Sequence, residues 1–332
     1  MAPNQEQQSP GGNDKDLPLV LLHRSASTID VSLFTSLLDK RVQFIDPLED
    51  SDSSFSTLSG SVRIMLCVAN HPVDSNTLDN YPSLECVVAT STGLDHIQLA
   101  ECRRRGIRVT NVGDAFCDQV AEFAIGLLID VLRRVSAADR FIRSGSWPVM
   151  GEFPLGFKVS GKRIGIIGLG NVGMRISRML EAFGCSIAYN SRTRKPNVSY
   201  PYYADIQELA INSDVLFVCC AFSKDTRHLI NKDVLKALGK KGVIVNIGRG
   251  AIIDEKELVG FLVRGDIGGA GLDVFENEPY VPTELYGLDN VVLSPHRAAA
   301  VPESFVHLQE IVIGNIEAFL SNKPLLFEVE LQ

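Results

Sequence analysis

The chain has 332 residues, of which 45% are hydrophobic and 22% are charged, so it is neither disordered throughout nor a collagen-like repeat. Its length predicts about two domains. The net charge of −8 lacks the basic excess of a nucleic-acid-binding protein, and the longest apolar run, Val215–Phe222, is too short for a membrane-spanning helix of about 20 residues.

Residues 1–17 are rich in Gln, Asn, Gly and Pro, which predicts a disordered tail. This tail has no arginine and no apolar core, so it resembles neither a transit peptide nor a signal peptide. The odd number of cysteines, without a C-x-x-C pair, predicts buried free thiols in a reducing compartment. The seven are Cys67, Cys86, Cys102, Cys117, Cys185, Cys219 and Cys220. We therefore expect a cytosolic protein, and we expect no metal site because the histidines show no ligand spacing.

From Leu19 onward, short apolar runs alternate with helix-length stretches, which is the pattern of a parallel α/β sheet. The strands predicted in the first half are Val20–Leu22, Arg63–Val68, Glu85–Ala89 and Arg108–Thr110. Between them, 30–40, 74–80 and 97–105 predict short helices, and the Asp- and Ser-rich residues 50–60 predict a loop.

A long amphipathic stretch follows. Over Asp118–Ser144, apolar residues recur at helical spacing, which predicts one long helix. A loop over Gly145–Lys162, rich in glycine and aromatic residues, then carries the only tryptophan, Trp147.

A second alternating series completes the chain. Its predicted strands are 163–167, 185–189, 215–219, 242–247, 268–274 and 290–294, and its predicted helices are 172–183, 205–212, 231–238, 254–263 and 303–320. Asp254 with Glu257 predicts a capping box, and Gly265 predicts a helix end. The fold class is therefore α/β, with two doubly wound parallel-sheet units.

A glycine-rich turn lies between predicted strand 163–167 and predicted helix 172–183. Its residues are Gly168, Leu169, Gly170, Asn171, Val172 and Gly173. The first glycine permits a tight turn, the second lets the backbone approach a pyrophosphate, and the third lets helix and strand pack closely. A plain glycine turn is the alternative, but the strand before and the helix after favour a dinucleotide site with phosphates at the helix N-terminus.

The next strand ends without the acid that binds the ribose 2′-hydroxyl of NAD. Between Glu181 and Asp205 there is no Asp or Glu, and the strand runs instead into Ser191, Arg192 and Thr193. A guanidinium can bind a 2′-phosphate through two charge-assisted hydrogen bonds, and hydroxyl groups can donate others. The alternative is a solvated basic loop, but the missing acid favours NADP, with NADPH preferred over NADH.

Three ionisable residues each follow a predicted strand: Arg249, Glu278 and His296. Considered singly, each residue has an ordinary alternative interpretation. The arginine could be a solvated surface charge, the glutamate part of an acidic loop, and the histidine an ordinary loop residue. The carboxyl ends of parallel strands meet at one edge of a sheet, where ligands bind in such folds. We therefore expect the three to gather there.

With these motifs the sequence resembles the D-isomer-specific 2-hydroxyacid dehydrogenases over nearly all of residues 18–330. The motifs are the GxGxxG turn, Asn246-Ile-Gly-Arg249-Gly, Gly271-Leu-Asp273-Val-Phe-x-x-Glu278-Pro and Ser294-Pro-His296. Within the family it is most similar to the plant NADPH-dependent hydroxypyruvate/glyoxylate and hydroxyphenylpyruvate reductases, a branch to which the string Ser191-Arg192-Thr193 also belongs.

The resemblance implies roles for the three ionisable residues. Arg249 would bind the substrate carboxylate, His296 would give a proton to the carbonyl oxygen, and Glu278 would hold the imidazole. Further residues would line the cofactor, namely Cys220, Ala221, Ile247, Gly248 and Asp273. Thr92 and Gly93 match the loop that holds the substrate carboxylate through backbone N–H groups. The remaining histidines, His96 and His228 among them, receive no role.

The resemblance also implies the domain organisation. Residues 18–117 and 303–332 would form a flavodoxin-like substrate-binding domain, and 118–302 a Rossmann-type NADP-binding domain. Residues 118–162 would carry the contacts of a homodimer. In that arm, Trp147 or Met150 would either reach the partner's active site or only pack the dimer.

The implied function is NADPH-dependent reduction of small 2-oxoacids such as hydroxypyruvate and glyoxylate. Hydroxyphenylpyruvate or a keto-sugar acid is the alternative substrate. The sequence departs from the family at Arg297-Ala298-Ala299-Ala300, where an apolar residue and glycine usually follow the histidine, and this leaves the substrate open. A formate dehydrogenase would have glutamine at Glu278, and a dinucleotide-sensing corepressor would have an acid at Ser191 and long tails.

Overall fold

The computed structural model describes residues 17–25, 38, 41–49 and 59–330. The predicted tail, the predicted helix 30–40 and the predicted loop 50–60 lie wholly or mostly outside these residues. The chain divides into two compact units, Met1–Gly113 with Phe305–Gln332, and Asp114–Ser304. These boundaries lie close to the ones that the resemblance implies, while the roles of the two units remain a prediction.

The first unit contains a five-stranded parallel sheet. Its strands are β1 (Leu19–His23), β2 (Gln43–Ile45), β3 (Ile64–Cys67), β4 (Cys86–Ala89) and β5 (Arg108–Thr110). Their order is β2-β1-β3-β4-β5, which is the flavodoxin-like order. Helices α1 (Ser75–Asp79) and α2 (Leu99–Arg105) lie between strands, as predicted. Strand β2 is not among the predicted strands, because three residues of which only Ile45 is buried give no periodic signal.

The second unit contains a six-stranded parallel sheet. Its strands are β6 (Arg163–Ile167), β7 (Ser186–Asn190), β8 (Val215–Val218), β9 (Val243–Asn246), β10 (Gly269–Leu272) and β11 (Val291–Leu293). Their order is β7-β6-β8-β9-β10-β11, all parallel. The chain adds strands first on one side of β6 and then on the other. The carboxyl ends of β6 and β8 therefore flank the switch point at which doubly wound sheets bind ligands.

The second unit also contains helices. They are α3 (Cys117–Arg133), α4 (Val135–Arg143), α5 (Trp147–Met150), α6 (Asn171–Glu181), α7 (Ile206–Ile211), α8 (Lys232–Leu238) and α9 (Glu255–Arg264), and α10 (Pro302–Leu320) follows the last strand. Asp254 caps α9 by accepting the Glu257 N–H at 3.2 Å, and Gly265 ends the helix at a φ of 68°, as predicted. The Asp254 N–H is donated to the Ile230 carbonyl at 2.9 Å, so Glu257 does not complete the predicted capping box. None of the helices described is long and apolar enough to cross a membrane.

The single helix predicted over 118–144 is wrong, because α3 ends and α4 begins at Arg134, whose φ is 59°. In an unbroken helix the Leu132 carbonyl would accept the Ser136 N–H. Instead it accepts the Phe157 N–H at 2.7 Å, and the Ser136 N–H is donated to Asp130 Oδ1 at 2.8 Å. The pattern of apolar residues continues through the break, so the sequence could not reveal it. The predicted loop 145–162 likewise contains α5.

The core of the second unit lies on both faces of its sheet. On one face α3 and α6 pack on the strands, and the buried residues include Leu128, Ile166, Ile176 and Phe217. On the other face α7, α8 and α9 contribute Leu209, Leu235 and Leu258. Burial of each such side chain stabilises the fold by roughly 1.5–3 kcal/mol, so the loops at the carboxyl edge rest on a rigid support.

Candidate active site

The glycine turn after β6 has the shape that a dinucleotide needs. Gly168 has a φ of 92°, and a Cβ there would lie 2.5 Å from the backbone of Cys220. A Cβ on Gly173 would lie 2.5 Å from the Gly168 carbonyl oxygen, which α6 approaches closely. Gly170 is different, because the space beside it is open. Only glycine fits at 168 and 173, and the open space at 170 admits a ligand to the backbone.

Gly170 is also the N-cap of α6. Because glycine has no side chain, it cannot cap the first N–H groups of the helix, which therefore suit a phosphate. Leu169 is buried, with an exposed fraction of 3%, so it can meet a cofactor only through its backbone. These residues fit a bound dinucleotide.

The loop after β7 carries the basic residue predicted to select NADP. The Ser191 hydroxyl donates to the Thr193 carbonyl at 2.7 Å, and the Tyr202 hydroxyl donates to the Ser191 carbonyl at 3.3 Å. Arg192 and Thr193 are exposed. The Ser191 hydroxyl hydrogen is therefore used in a hydrogen bond within the loop. The cation of this loop that is predicted to bind the 2′-phosphate is Arg192.

The residues predicted to line the cofactor follow β8 and β9. A Cβ on Gly248 would lie 3.2 Å from the Cys220 carbonyl oxygen, so the two loops are in contact. Cys219 and Cys220 are half-buried rather than buried as expected, whereas the other five cysteines are buried thiols. Burial raises the pKa of the Cys220 thiol to about 11, so it stays protonated near neutral pH.

The loop that carries Arg249 is fixed by the buried Asn246. Its side chain accepts the Gly248 N–H at 3.1 Å and donates to the Arg249 carbonyl at 3.0 Å. A Cβ on Gly250 would overlap the carbonyl carbon of Phe275, so the loops after β9 and β10 pack backbone to backbone. This contact places Arg249 beside the loop that carries Glu278.

Glu278 and His296 form a hydrogen-bonded pair, with 2.7 Å between Glu278 Oε2 and His296 Nδ1. Glu278 Oε1 accepts the Phe275 N–H at 3.0 Å. Burial raises the pKa of Glu278, but the hydrogen bonds and the charges of His296 and Arg249 outweigh it and lower that pKa below its ordinary value. An ionised carboxylate only accepts, so Nδ1 carries a proton and Nε2 is the atom that can exchange one.

Asp273 holds the backbone around His296. Its buried carboxylate accepts the Arg297 N–H at 2.8 Å and the Ala298 N–H at 3.0 Å, and its carbonyl accepts the His296 N–H at 2.8 Å. His296 has a φ of 53°, a conformation that costs a non-glycine residue about 1–3 kcal/mol and persists only where its surroundings enforce it. The resemblance places Asp273 near the cofactor, but these backbone hydrogen bonds are not predictable from it.

The chain matches the model for the NAD-binding domain of D-isomer specific 2-hydroxyacid dehydrogenases over residues 125–298. It is 52% identical to a glyoxylate/hydroxypyruvate reductase of Arabidopsis thaliana over 315 residues, which are 95% of this chain and 98% of that protein. The chain belongs to this family. The resemblance expected from its motifs is therefore confirmed.

Other members of the dehydrogenase family agree. A hydroxyphenylpyruvate reductase of Plectranthus scutellarioides is 49% identical over 81% of this chain and 86% of that protein. The crystal structure of an NADPH-dependent glyoxylate/hydroxypyruvate reductase from Sinorhizobium meliloti, in complex with NADP and malonate, superposes with a TM-score of 0.86. It is 35% identical and covers 95% of this chain and 97% of that one. The expected fold class is confirmed.

The dehydrogenase motifs all lie in the second unit, where the structure brings Arg249, Glu278 and His296 to one sheet edge. Thr92 and Gly93 belong to the first unit, in the loop after β4. There the Ser91 hydroxyl donates to the Gly93 carbonyl at 2.9 Å, and the Asn111 side chain donates to the Thr92 carbonyl at 3.3 Å. Their role in holding a substrate carboxylate remains a prediction.

The second unit contains another histidine–carboxylate pair that is not among the predicted site residues. His228, which received no role, lies 2.9 Å from Glu276 through its Nε2. No spacing rule connects Glu276 to a histidine far before it in the chain, so the sequence held no signal for the pair.

Proposed function

We propose that this dehydrogenase reduces small 2-oxoacids, hydroxypyruvate and glyoxylate first, to D-2-hydroxyacids with NADPH. The observation that carries the proposal is the Glu278–His296 pair beside the Arg249 loop, at the sheet edge that also carries the glycine turn. The reductases at about 50% identity support the same substrate class.

The proposed cofactor site combines backbone groups with the side chains of Arg192, Thr193 and Asp273. The turn Gly168–Gly173 and the N-terminus of α6 would hold the pyrophosphate, and Arg192 with Thr193 would bind the 2′-phosphate. The loops at Cys220–Ala221 and Ile247–Gly248, together with Asp273, would line the nicotinamide side. When bound there, NADPH supplies the hydride.

The chain's own residues bind and protonate the substrate. Arg249 pairs with the substrate carboxylate and orients the keto group. His296 gives its Nε2 proton to the carbonyl oxygen while the carbonyl carbon gains the hydride, so the product is the hydroxyacid. Glu278 accepts the Nδ1 hydrogen throughout, which fixes the orientation of the ring.

Hydroxyphenylpyruvate is the second candidate substrate, because a hydroxyphenylpyruvate reductase is 49% identical to this chain. Turnover of hydroxyphenylpyruvate with a higher kcat/KM than hydroxypyruvate would favour it. Binding of NADPH without turnover of any 2-oxoacid would favour a dinucleotide sensor instead.

A second copy of the chain is the proposed partner. The arm from Trp147 to Phe157 exposes large apolar side chains, namely Trp147 at 59%, Val149 at 85%, Met150 at 71%, Leu155 at 91% and Phe157 at 61%. Apolar surface concentrated in this way marks an interface. We expect a homodimer by light scattering, and Trp147→Ala to weaken it. If Trp147→Ala also raises KM, the arm reaches the partner's site. The free thiols support a cytosolic location.

The decisive experiment measures initial rates of hydroxypyruvate reduction with NADPH and with NADH. The wild type is compared with His296→Ala and with His307→Ala. His307 is a matched control, because it also contacts a glutamate, with 3.3 Å between its Nδ1 and Glu310 Oε2, but it lies on α10. We expect turnover with NADPH that only His296→Ala abolishes. Full activity of His296→Ala would refute the proposed acid, and preference for NADH would refute the role of Arg192.

A further inference from the structure

The loop after β10 carries two glutamates, and each is paired with a histidine. Glu278 pairs with His296, while Glu276 Oε1 lies 2.9 Å from His228 Nε2 and accepts a second hydrogen bond of 2.9 Å from Arg227 Nη2. The Glu276 side chain is only 19% exposed. Its pairing is therefore a built contact of the second unit rather than a surface charge, for which an ion pair would contribute little.

The backbone next to Glu276 is fixed as well. The Glu276 N–H is donated to Glu255 Oε2 at 3.1 Å, and the preceding N–H, that of Phe275, is donated to Glu278. On the other side the Phe275 carbonyl carbon packs directly on Gly250. Displacement of the Glu276 side chain would therefore rotate the peptide group between Phe275 and Glu276. The adjacent Phe275 N–H, which is hydrogen-bonded to Glu278, would move with it.

His228 joins this loop to the loop that carries Arg249. Its N–H is donated to the Ala251 carbonyl at 2.9 Å, two residues after Arg249. Its φ is 51°, in the left-handed region that a histidine occupies only when its surroundings enforce it. His228 therefore contacts Ala251 through its backbone and Glu276 through its side chain. These two contacts set the spacing of the two loops.

We propose that Glu276, together with Arg227 and His228, is a positioning group for the reaction. It fixes Glu278, and through Glu278 the His296 ring, relative to Arg249. This inference rests on the proposed function. A misplacement of about 1 Å in a catalytic group can cost on the order of 100-fold in rate, so a positioning group can control kcat without touching the substrate.

The test is Glu276→Gln, which keeps the size of the side chain and removes its charge. We expect kcat to fall on the order of 10-fold because proton donation becomes misaligned, while the KM for hydroxypyruvate and the Kd for NADPH change less than about 2-fold. We also expect the solvent deuterium isotope effect on kcat to rise. Asp266→Asn is the matched control, because Asp266 pairs with Arg264 at 2.6 Å beyond the opposite end of α9.

A double variant separates positioning from general stability. If Glu276 acts through Glu278, Glu276→Gln lowers kcat no further when Glu278→Gln is already present. Independent losses that multiply would overturn the proposal, and so would a wild-type kcat in Glu276→Gln. Full kcat in Glu278→Gln and His296→Ala would instead show that the proposed function has failed.

His228→Asn provides a second route, because asparagine tolerates the left-handed conformation better than most residues do. We expect it to reproduce the kcat loss of Glu276→Gln. If Glu276→Gln does not fold, the double variant is made with His228→Asn. If neither variant folds, the cluster only supports the fold and the inference is overturned.

Discussion

Replacing Glu278 by glutamine isolates the contribution of its charge. The change keeps the side-chain length but removes a carboxylate that accepts from His296 Nδ1 at 2.7 Å and from the Phe275 N–H at 3.0 Å. A hydrogen bond to a charged group contributes roughly 1.5–3 kcal/mol. Since about 1.4 kcal/mol corresponds to a factor of ten, we expect kcat for hydroxypyruvate reduction to fall roughly 10- to 100-fold.

The assay for Glu278→Gln is steady-state kinetics with NADPH, with unfolding measured on the same samples. Glu310→Gln is the control, because Glu310 forms a more exposed pair with His307 on α10. The Kd for NADPH is expected to stay unchanged, because the glycine turn follows a different strand from the one that precedes Glu278. A kcat within about 2-fold of wild type, below the loss of one charged hydrogen bond, would refute the assignment of Glu278 as the partner of the acid.

Arg192→Ala should raise the KM for NADPH roughly 10- to 100-fold and leave the KM for NADH unchanged, because only the 2′-phosphate loses a charged partner; an equal effect on both cofactors would contradict this. Gly250→Ala should lower the melting temperature markedly, because its Cβ would overlap the backbone of Phe275, whereas Gly287→Ala, with nothing within 4 Å, should not. The pKa of Glu278 is lowered from 4.5, so its ionised carboxylate contributes stability that is lost as the pH falls from about 4.5 through the folded-state pKa. The difference in unfolding free energy between wild type and Glu278→Gln should therefore shrink as the pH falls below about 4.5, and a difference that stays constant there would contradict the pairing.

The strands and the site motifs could be predicted from local sequence. Fully buried parallel strands appear as short apolar runs, so the runs around Ile166, Phe217 and Ile244 indicated β6, β8 and β9. Parallel strands also place the residues that follow them at one sheet edge. The proximity of Arg249, Glu278 and His296 follows from that rule, and the spacing of glycines 168, 170 and 173 predicted the turn.

Contacts between segments far apart in sequence needed the tertiary structure. The break at Arg134 depends on Phe157, whose N–H is donated to the Leu132 carbonyl of α3. In a continuous helix that carbonyl would accept a hydrogen bond from the next turn. The clamp of Asp273 on the backbone after His296, and the pairing of Glu276 with His228, likewise join different loops. Periodicity records which side chains are buried, but it does not record which distant backbone group receives a given hydrogen bond. The sequence alone therefore determined the fold class and the family of this protein, and the folded loops decided how its proposed catalytic groups are held.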